Sequence, residues 1–402
     1  MSNSIFIIEY NDREVSGYQT FRDEIIPGII SESNVTLGNI IIDSNNKILT
    51  IYVNNKVTKV EIPTIKGKLK YERIAATLRL FIPDSSTNVF LCNFAPASNL
   101  LCALCKFYPL SKRVIILHDF IAAYYLQGRL DLYNSILSTI GGDRFTHPAV
   151  GCIDVNLIKT LHNEYTNAFK FTDHIICLCN DTLSFIHETF DISYNKLTLI
   201  ENGLTDTSAS EKLILGRIDN PFRFIFVGRM TDNKGFCTLL DAVNELQKIS
   251  SKCDWEVLCA GPINPLRLKY INKTACSKIR VLGSISREEL YKIYPTVNAG
   301  LLLSKYEQCS YAGIEFKMFA LPVIAISSHG VKNMFSNENA IVLDAESESL
   351  GANIAINMHK LITCGHNTLK KYAKKSRDDF ISRYTADTMT KNYLNLVHNI
   401  IK

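Results

Sequence analysis

Apolar residues in this chain gather in short unbroken runs separated by amphipathic stretches, the pattern of parallel strands buried on both faces with helices between them. In the first half the runs are Ser4 to Glu9, Asn88 to Cys92, Arg113 to Leu117, Asp173 to Leu178 and Leu197 to Ile200. In the second they are Phe224 to Val227, Trp255 to Ala260, Ile279 to Leu282, Ala299 to Leu303, Leu321 to Ile326 and Ala340 to Leu343. Helical spacing fills the intervals. Phe236, Leu239, Leu240, Val243 and Leu246 share one helix face, and Ser310, a preferred cap residue, marks a helix that begins near Tyr311. Other helices are predicted up to Pro27, between Cys92 and Arg113, up to Phe190, and after Leu350.

Two segments break the rhythm. Val35 to Val60 alternates and carries Asn45-Asn46 and Asn54-Asn55, which predicts hairpin-like strands. Gly128 to Gly151 has no period and is expected to be an irregular, mobile loop. The remaining alternation predicts an α/β fold with doubly wound parallel sheets, and 402 residues favour two domains. The polar, patternless Thr205 to Asn220 is expected to link them, giving a first domain at 1–204, a linker at 205–220 and a second domain at 221–385.

Composition narrows the class. At 47% hydrophobic and 21% charged residues the chain can build two sizeable cores and is not disordered. The net charge of +5 is compatible with a phosphorylated substrate or an anionic membrane face and too weak to argue for nucleic acid. The 12 cysteines follow no disulfide spacing; Cys177, Cys179 and Cys259 lie inside apolar runs as buried thiols. Cys102 and Cys105 have no second pair at zinc spacing and are read as helix-core thiols. Met1 to Tyr10 lacks a leader pattern, so a cytoplasmic location is expected. Asn93, Pro96, Ser98, Asn99 and Lys106 interrupt the most apolar stretch, Val89 to Leu110, so any membrane contact would be peripheral. Lys370, Lys371, Lys374, Lys375 and Arg377 form a basic face near the end, read as solvated, with an anionic membrane surface as the alternative.

Candidate chemistry collects where the second-half strands end. Gly228 closes one run, and Arg229 and Lys234 follow it at a strand's carboxyl end, where open α/β sheets bind ligands. Two cations there suit a doubly charged phosphate group, and read alone they also fit a solvated turn. Glu307 lies in the loop before the Ser310-capped helix and Glu315 lies inside that helix. The first amides of the helix, at Tyr311 and Ala312, lack partners within it and attract an anion. A diphosphate at that point would have a carboxylate on either side, one for a sugar and one for a ribose. Gly261-Pro262 and Gly283-Ser284 end two more strands at the same edge, where backbone groups could hold a base. His118-Asp119 ends a first-half strand; His118 is a site candidate or a satisfied core histidine, and Asp119 a candidate helix cap.

GRMTDNKG followed by YEQCSYAGIE resembles the retaining glycosyltransferases of the GT-B fold, in the large GT4-like group with an E-x7-E motif. Glu307 and Glu315 match its two glutamates, Arg229 and Lys234 its donor-phosphate pair, and VLGSISREELYKIY the strand–loop–helix before the motif. Glu201-Asn202-Gly203 resembles its Pro-Asn-Gly turn. The chain departs from the pattern at Ser310 for Gly, at Asn298 and Leu303 for Asp and Pro, and at His329-Gly330 with Asn333 for Gly-Gly-x-x-Glu. These changes bear on donor choice more than on reaction class.

The resemblance implies two Rossmann-like domains facing a cleft, with a final helix at 386–402 returning to the first. It also implies transfer of a sugar, with retention, from a UDP- or GDP-type donor to a hydroxyl on a glycan, lipid or protein. No metal or other cofactor is expected, and no Asp-x-Asp pair is present. Arg229, Lys234, Glu307 and His118 would be catalytic; Gly17, Gly228, Gly283, Ser284, Ser310, Tyr311, Ala312 and Glu315 would bind substrate, Gly17 on the acceptor side. A catalytically silent partner subunit and a sugar-nucleotide epimerase are the alternatives. The four charged residues speak against the first and the E-x7-E pair against the second.

Overall fold

The apolar runs of the second half fold into a six-stranded sheet whose strands are all parallel. Its order is Ile279–Gly283, Trp255–Ala260, Phe222–Val227, Ala299–Leu302, Val323–Ile326, Ile341–Leu343. The chain builds outward from Phe222–Val227 on one side, then returns to its other side at Ala299–Leu302. Those two neighbours therefore flank the point where the winding reverses, and ligands of open parallel sheets bind beyond the carboxyl ends there. The computed structural model describes residues 3–10, 17–32, 34–53, 56–62, 64–65, 68–93, 98–139, 142–208, 221–266 and 277–402. They divide into two units, Met1–Gly203 with Ala386–Lys402, and Leu204–Thr385.

In the second unit, Phe224, Phe226, Trp255, Val257 and Ile324 meet Leu239 and Val243 of the helix Phe236–Ile249 and Ile354 and Met358 of the helix Leu350–Thr363. Burying each such side chain contributes about 1.5–3 kcal/mol, so the sheet is a rigid base for the loops at its edge. The helix Tyr311–Met318 lies close upon it: a Cβ at Gly300 would stand 2.6 Å from a ring carbon of Phe316. From the other side that helix is tied to His366–Arg383. Lys317, with no exposed surface, pairs with Asp379 and lies 4.2 Å from the centre of the Phe335 ring. Asp379 also accepts from Asn339 Nδ2 at 3.1 Å and meets Arg383 at 3.3 Å.

Of the expected linker, 205–208 lie within the described residues and 209–220 outside them. Asp206 accepts from Arg377, and Ser208 Oγ donates to the carbonyl of Met318 at 3.1 Å. Arg377 is thus turned into the unit and is no part of a basic face. Lys370, Lys371, Lys374 and Lys375 are exposed.

The first unit holds an eight-stranded sheet. Leu197–Leu199, His174–Cys177, Lys112–Leu117, Asn88–Cys92, Asn3–Tyr10 and Val35–Asp43 run parallel. Ile48–Val53 and Lys56–Glu61 then extend it as an antiparallel meander. The final helix, Ala386–Ile401, belongs to this unit. Its Tyr393 ring lies 5.3 Å from that of Phe21, and a Cβ at Gly28 would stand 2.4 Å from Thr390 Oγ1. The helix carrying Phe21 and Gly28 runs from Gly17 through Pro27 to Ser31, further than its proline suggested, because Ile25 and Ile29 are both buried.

Three further expectations are corrected. Gly128 to Gly151 contains a short helix, Tyr133–Leu137, and the strand Arg144–His147, which pairs antiparallel with Gly151–Asp154. Tyr133 anchors it, fully buried with its ring 5.2 Å from Phe185 and 5.9 Å from Phe120. Cys102 is exposed on the helix Ser98–Phe107 rather than in its core. Asp119 caps no helix: Phe120 holds the cap position of Ile121–Tyr125, and the Ile121 amide donates to Tyr165 Oη at 3.0 Å. Among the helices that escaped the sequence reading are Tyr71–Leu78 and Val155–Lys170, the latter capped by Asp154, which accepts from the amides of Asn156 and Leu157. Cys177, Cys179 and Cys259 are buried, and burial raises Cys179 to about 11, leaving it a protonated, unreactive thiol. Among the described residues no helix is long and apolar enough to cross a membrane.

Lys317→Met keeps the side-chain volume but strands Asp379 on its remaining partners. We expect a loss of about 3 kcal/mol, read from urea unfolding of the full chain.

Candidate functional site

Two loops at the reversal point lie almost in backbone contact. Gly235 (φ +77°) ends the turn after Phe222–Val227, and a Cβ there would stand 1.9 Å from the carbonyl oxygen of Leu303. No side chain fits, and the left-handed φ also favours glycine. Asn298 nearby has its side-chain oxygen 2.7 Å from the Arg223 amide and locks the start of the two strands.

The closeness lets the two loops exchange charges. Lys234 Nζ stands 2.6 Å from Glu307 Oε1, and Lys305 Nζ 2.8 Å from Asp232 Oδ2. Between them the Lys305 amide donates to the Asn233 carbonyl at 2.9 Å. Arg229 extends from the same turn into solvent, and among the described residues no carboxylate lies within ion-pair distance of it. Glu307 is held from behind by His329 and Gly330. Its amide donates to the His329 carbonyl at 3.1 Å, and a Cβ at Gly330 (φ +75°) would stand 2.0 Å from its own carbonyl oxygen.

Three residues beyond Glu307, Ser310 caps the helix Tyr311–Met318 and its Oγ accepts from the Gly313 amide at 3.3 Å. Tyr311 and Ala312 are half-buried, and no acidic side chain occupies the first turn, so its positive end is not neutralised from within. Gly228 and Gly283 end neighbouring parts of the same edge: the Gly228 amide donates to the Ala260 carbonyl at 2.9 Å, and Gly261 to that of Gly283 at 2.7 Å. Ser284 is exposed beyond them.

Glu315 is buried and already surrounded. Tyr294 Oη donates to its Oε2 at 2.5 Å; among the described residues Oε1 has longer contacts, 3.4 Å from Tyr291 Oη and 3.5 Å from Arg287 Nε. Burial pushes this carboxyl above the usual range, opposed by the Tyr294 hydroxyl, the Arg287 charge and the Tyr291 hydroxyl. Ionisation here works against folding: the contribution to stability is full below the ordinary glutamate value and is lost as pH rises through the raised one. The sequence reading missed Arg287, Tyr291 and Tyr294. Their signal was the Ser286-x-x-Glu289 capping box, formed here in full, followed by two tyrosines three residues apart on one helical side.

The other candidates stand in the first unit. His118 is buried at the end of Lys112–Leu117, with its ring 4.8 Å from Phe21 and 5.1 Å from Tyr18. Burial lowers it to about 3, so it is neutral, and among the described residues its Nε2 has no hydrogen-bond partner. Gly17 opens the helix that follows Asn3–Tyr10, and Tyr18 beside it donates to Asp119 Oδ2 at 3.2 Å. The loop before Gly17, residues 11–16, lies outside the described residues. Two groups therefore form, one in each unit: Gly17 with His118, and the loop-and-helix set around Lys234, Glu307 and Glu315.

Residues 221–360, which carry the second set, match a family model described as glycosyl transferases, group 1. No curated protein matches the chain. The solved structures it resembles include a pneumococcal O-GlcNAc transferase in complex with UDP and GlcNAc, 12% identical with a TM-score of 0.67 over 100% of this chain and 99% of that one. A glycosyltransferase from Rickettsia africae is 15% identical, with a TM-score of 0.68 over 100% and 99%. Sucrose-phosphate synthase from Thermosynechococcus elongatus is 12% identical, with a TM-score of 0.67 over 99% of each chain. At these identities the likeness establishes the fold, which is GT-B.

Gly330→Ala places a methyl group against the Glu307 carbonyl. It is expected to lower stability by about 1–3 kcal/mol, measured as a fall in melting temperature.

Proposed function

We propose that the chain is a retaining, metal-independent glycosyltransferase of the GT4-like group, moving a sugar from a nucleoside diphosphate donor to an acceptor hydroxyl. The observation that carries the reading is the meeting of Lys234 and Glu307 at 2.6 Å beside a capped helix start, at the reversal point of a parallel sheet. The match of residues 221–360 to glycosyl transferases, group 1, supports it.

As the bond to the anomeric carbon breaks, negative charge collects on the departing diphosphate. Arg229, Lys234 and the helix start at Ser310, Tyr311 and Ala312 stabilise that charge, the effect expected to dominate catalysis. Lys234 is held near its working position by Glu307 before substrate arrives, which removes much of the ordering cost of a lysine. Glu307 orients the sugar once the lysine turns to the phosphate. Glu315 accepts the ribose hydroxyls, and the glycines at 228 and 283 with Ser284 bring backbone up to the base. Cations and a helix dipole supply what a divalent metal would, so none is required. His118, neutral and with a spare ring nitrogen, acts on the donor sugar, and Gly17 allows close approach of the acceptor. UDP is the first donor nucleotide to test, because it is bound in the pneumococcal relative.

Arg229→Ala and Lys234→Ala are each expected to cut turnover by about 10²–10³ while leaving the unfolding curve near wild type. The measurement is release of free nucleoside diphosphate from a panel of sugar nucleotides, and two wild-type rates would exclude the phosphate assignment. Glu315→Gln should weaken diphosphate binding by about 1.5–3 kcal/mol, read by calorimetric titration.

A further inference from the structure

Glu315 presents an unequal pair of oxygens. One is fixed by the short bond from Tyr294, whereas among the described residues the other takes a longer hydrogen bond from Tyr291 at 3.4 Å and an ion-pair contact with Arg287 at 3.5 Å. The Tyr294 ring has no exposed surface. It stacks on Phe319 with centroids 4.8 Å apart and meets Phe316 edge-on at 6.0 Å. Those contacts leave it little freedom, so the hydroxyl is a fixed donor. A phenylalanine would fill the same apolar slot without burying a hydroxyl, and a buried hydroxyl is costly unless bonded. Here the hydroxyl donates to the Glu315 carboxylate. Arg287 is poised on the other side, with its Nε 2.7 Å from Tyr291 Oη and its guanidinium carbon 5.3 Å from the centre of the Tyr291 ring.

We infer that Tyr294 is a positioning residue that pins Oε2 of Glu315 and so presents Oε1 to the ribose of the donor, with Tyr291 and Arg287 steering that second oxygen. The inference rests on the proposed role of Glu315 and adds residues outside the E-x7-E and phosphate sets. One oxygen is spent on the protein and one is kept for the ligand. The cage comes from the helix Arg287–Ile293 and the turn after it, so the position of a group on one helix is set by side chains of another.

The charged and titratable groups that face Glu315 are Tyr294, Tyr291 and Arg287. The first two donate to the carboxylate and the third attracts it, and all three favour the ionised form. Removing the Tyr294 hydroxyl therefore raises the pH at which ligand binding fails on the acid side. A purely structural tyrosine would not move that limb.

The test titrates the full-length protein with UDP, GDP and ADP, takes the tightest binder as probe, and measures its affinity from pH 5 to 8 in wild type, Tyr294→Phe and Glu315→Gln. Tyr294→Phe should weaken the probe about tenfold, as expected for the loss of a charge-assisted bond. It should also move the acid limb to higher pH and raise KM for the sugar nucleotide with kcat little changed. A wild-type affinity and pH profile in Tyr294→Phe, beside weakened binding in Glu315→Gln, overturns the inference and leaves the ribose role intact. Wild-type binding in both variants overturns the ribose role and the inference together. If Tyr294→Phe does not fold, Tyr291→Phe is measured in its place and read by the same outcomes.

Discussion

The near-contact of two backbones, Gly235 against Leu303, is what the rest of the site depends on. Parallel strands deliver their carboxyl ends to one edge, but neighbouring loops usually diverge there. Here the absence of a side chain lets them lie one on the other, and two crossed ion pairs and an amide–carbonyl bond follow. Partly exposed pairs of this kind contribute only about 0–1 kcal/mol each, so they do not hold the loops together. The backbone fit does, and the charges use it.

The same economy of distance recurs at Gly330 behind Glu307 and at Gly300 beneath Phe316. Each glycine is a place where a second layer must come closer than a methyl group allows. The helix with Glu315 is fixed on both flanks, by the tyrosines of one neighbour and by the Lys317–Asp379 pair of another. The position of Glu315 is therefore set by side chains of neighbouring elements.

Much of this was legible in the sequence because burial on both faces leaves a continuous apolar run. Trp255–Ala260 was placed to the residue, and the Ser310 cap gave the start of the helix Tyr311–Met318. What stayed hidden was structure held by aromatic contacts instead of periodicity, as at Tyr133, and helices whose faces are mostly polar, as at Val155–Lys170. In the site, Lys234 and Glu307 were read as two ligand-binding groups, and their mutual contact was not foreseen. Nor was the cage around Glu315, since hydroxyl-to-carboxylate pairing across 21 positions leaves no local pattern. The role of Gly330 was equally invisible, because a glycine's use is known only once its neighbour is placed.

The helix Ala386–Ile401 has a consequence for how the chain is made. It completes the first unit, covering Phe21 and Gly28, yet it leaves the ribosome after every residue of Leu204–Thr385. Domains normally finish in the order of synthesis. Here the first unit must wait with an oily stripe uncovered until all of Leu204–Thr385 has been made, so it closes only after the unit that follows it in the chain.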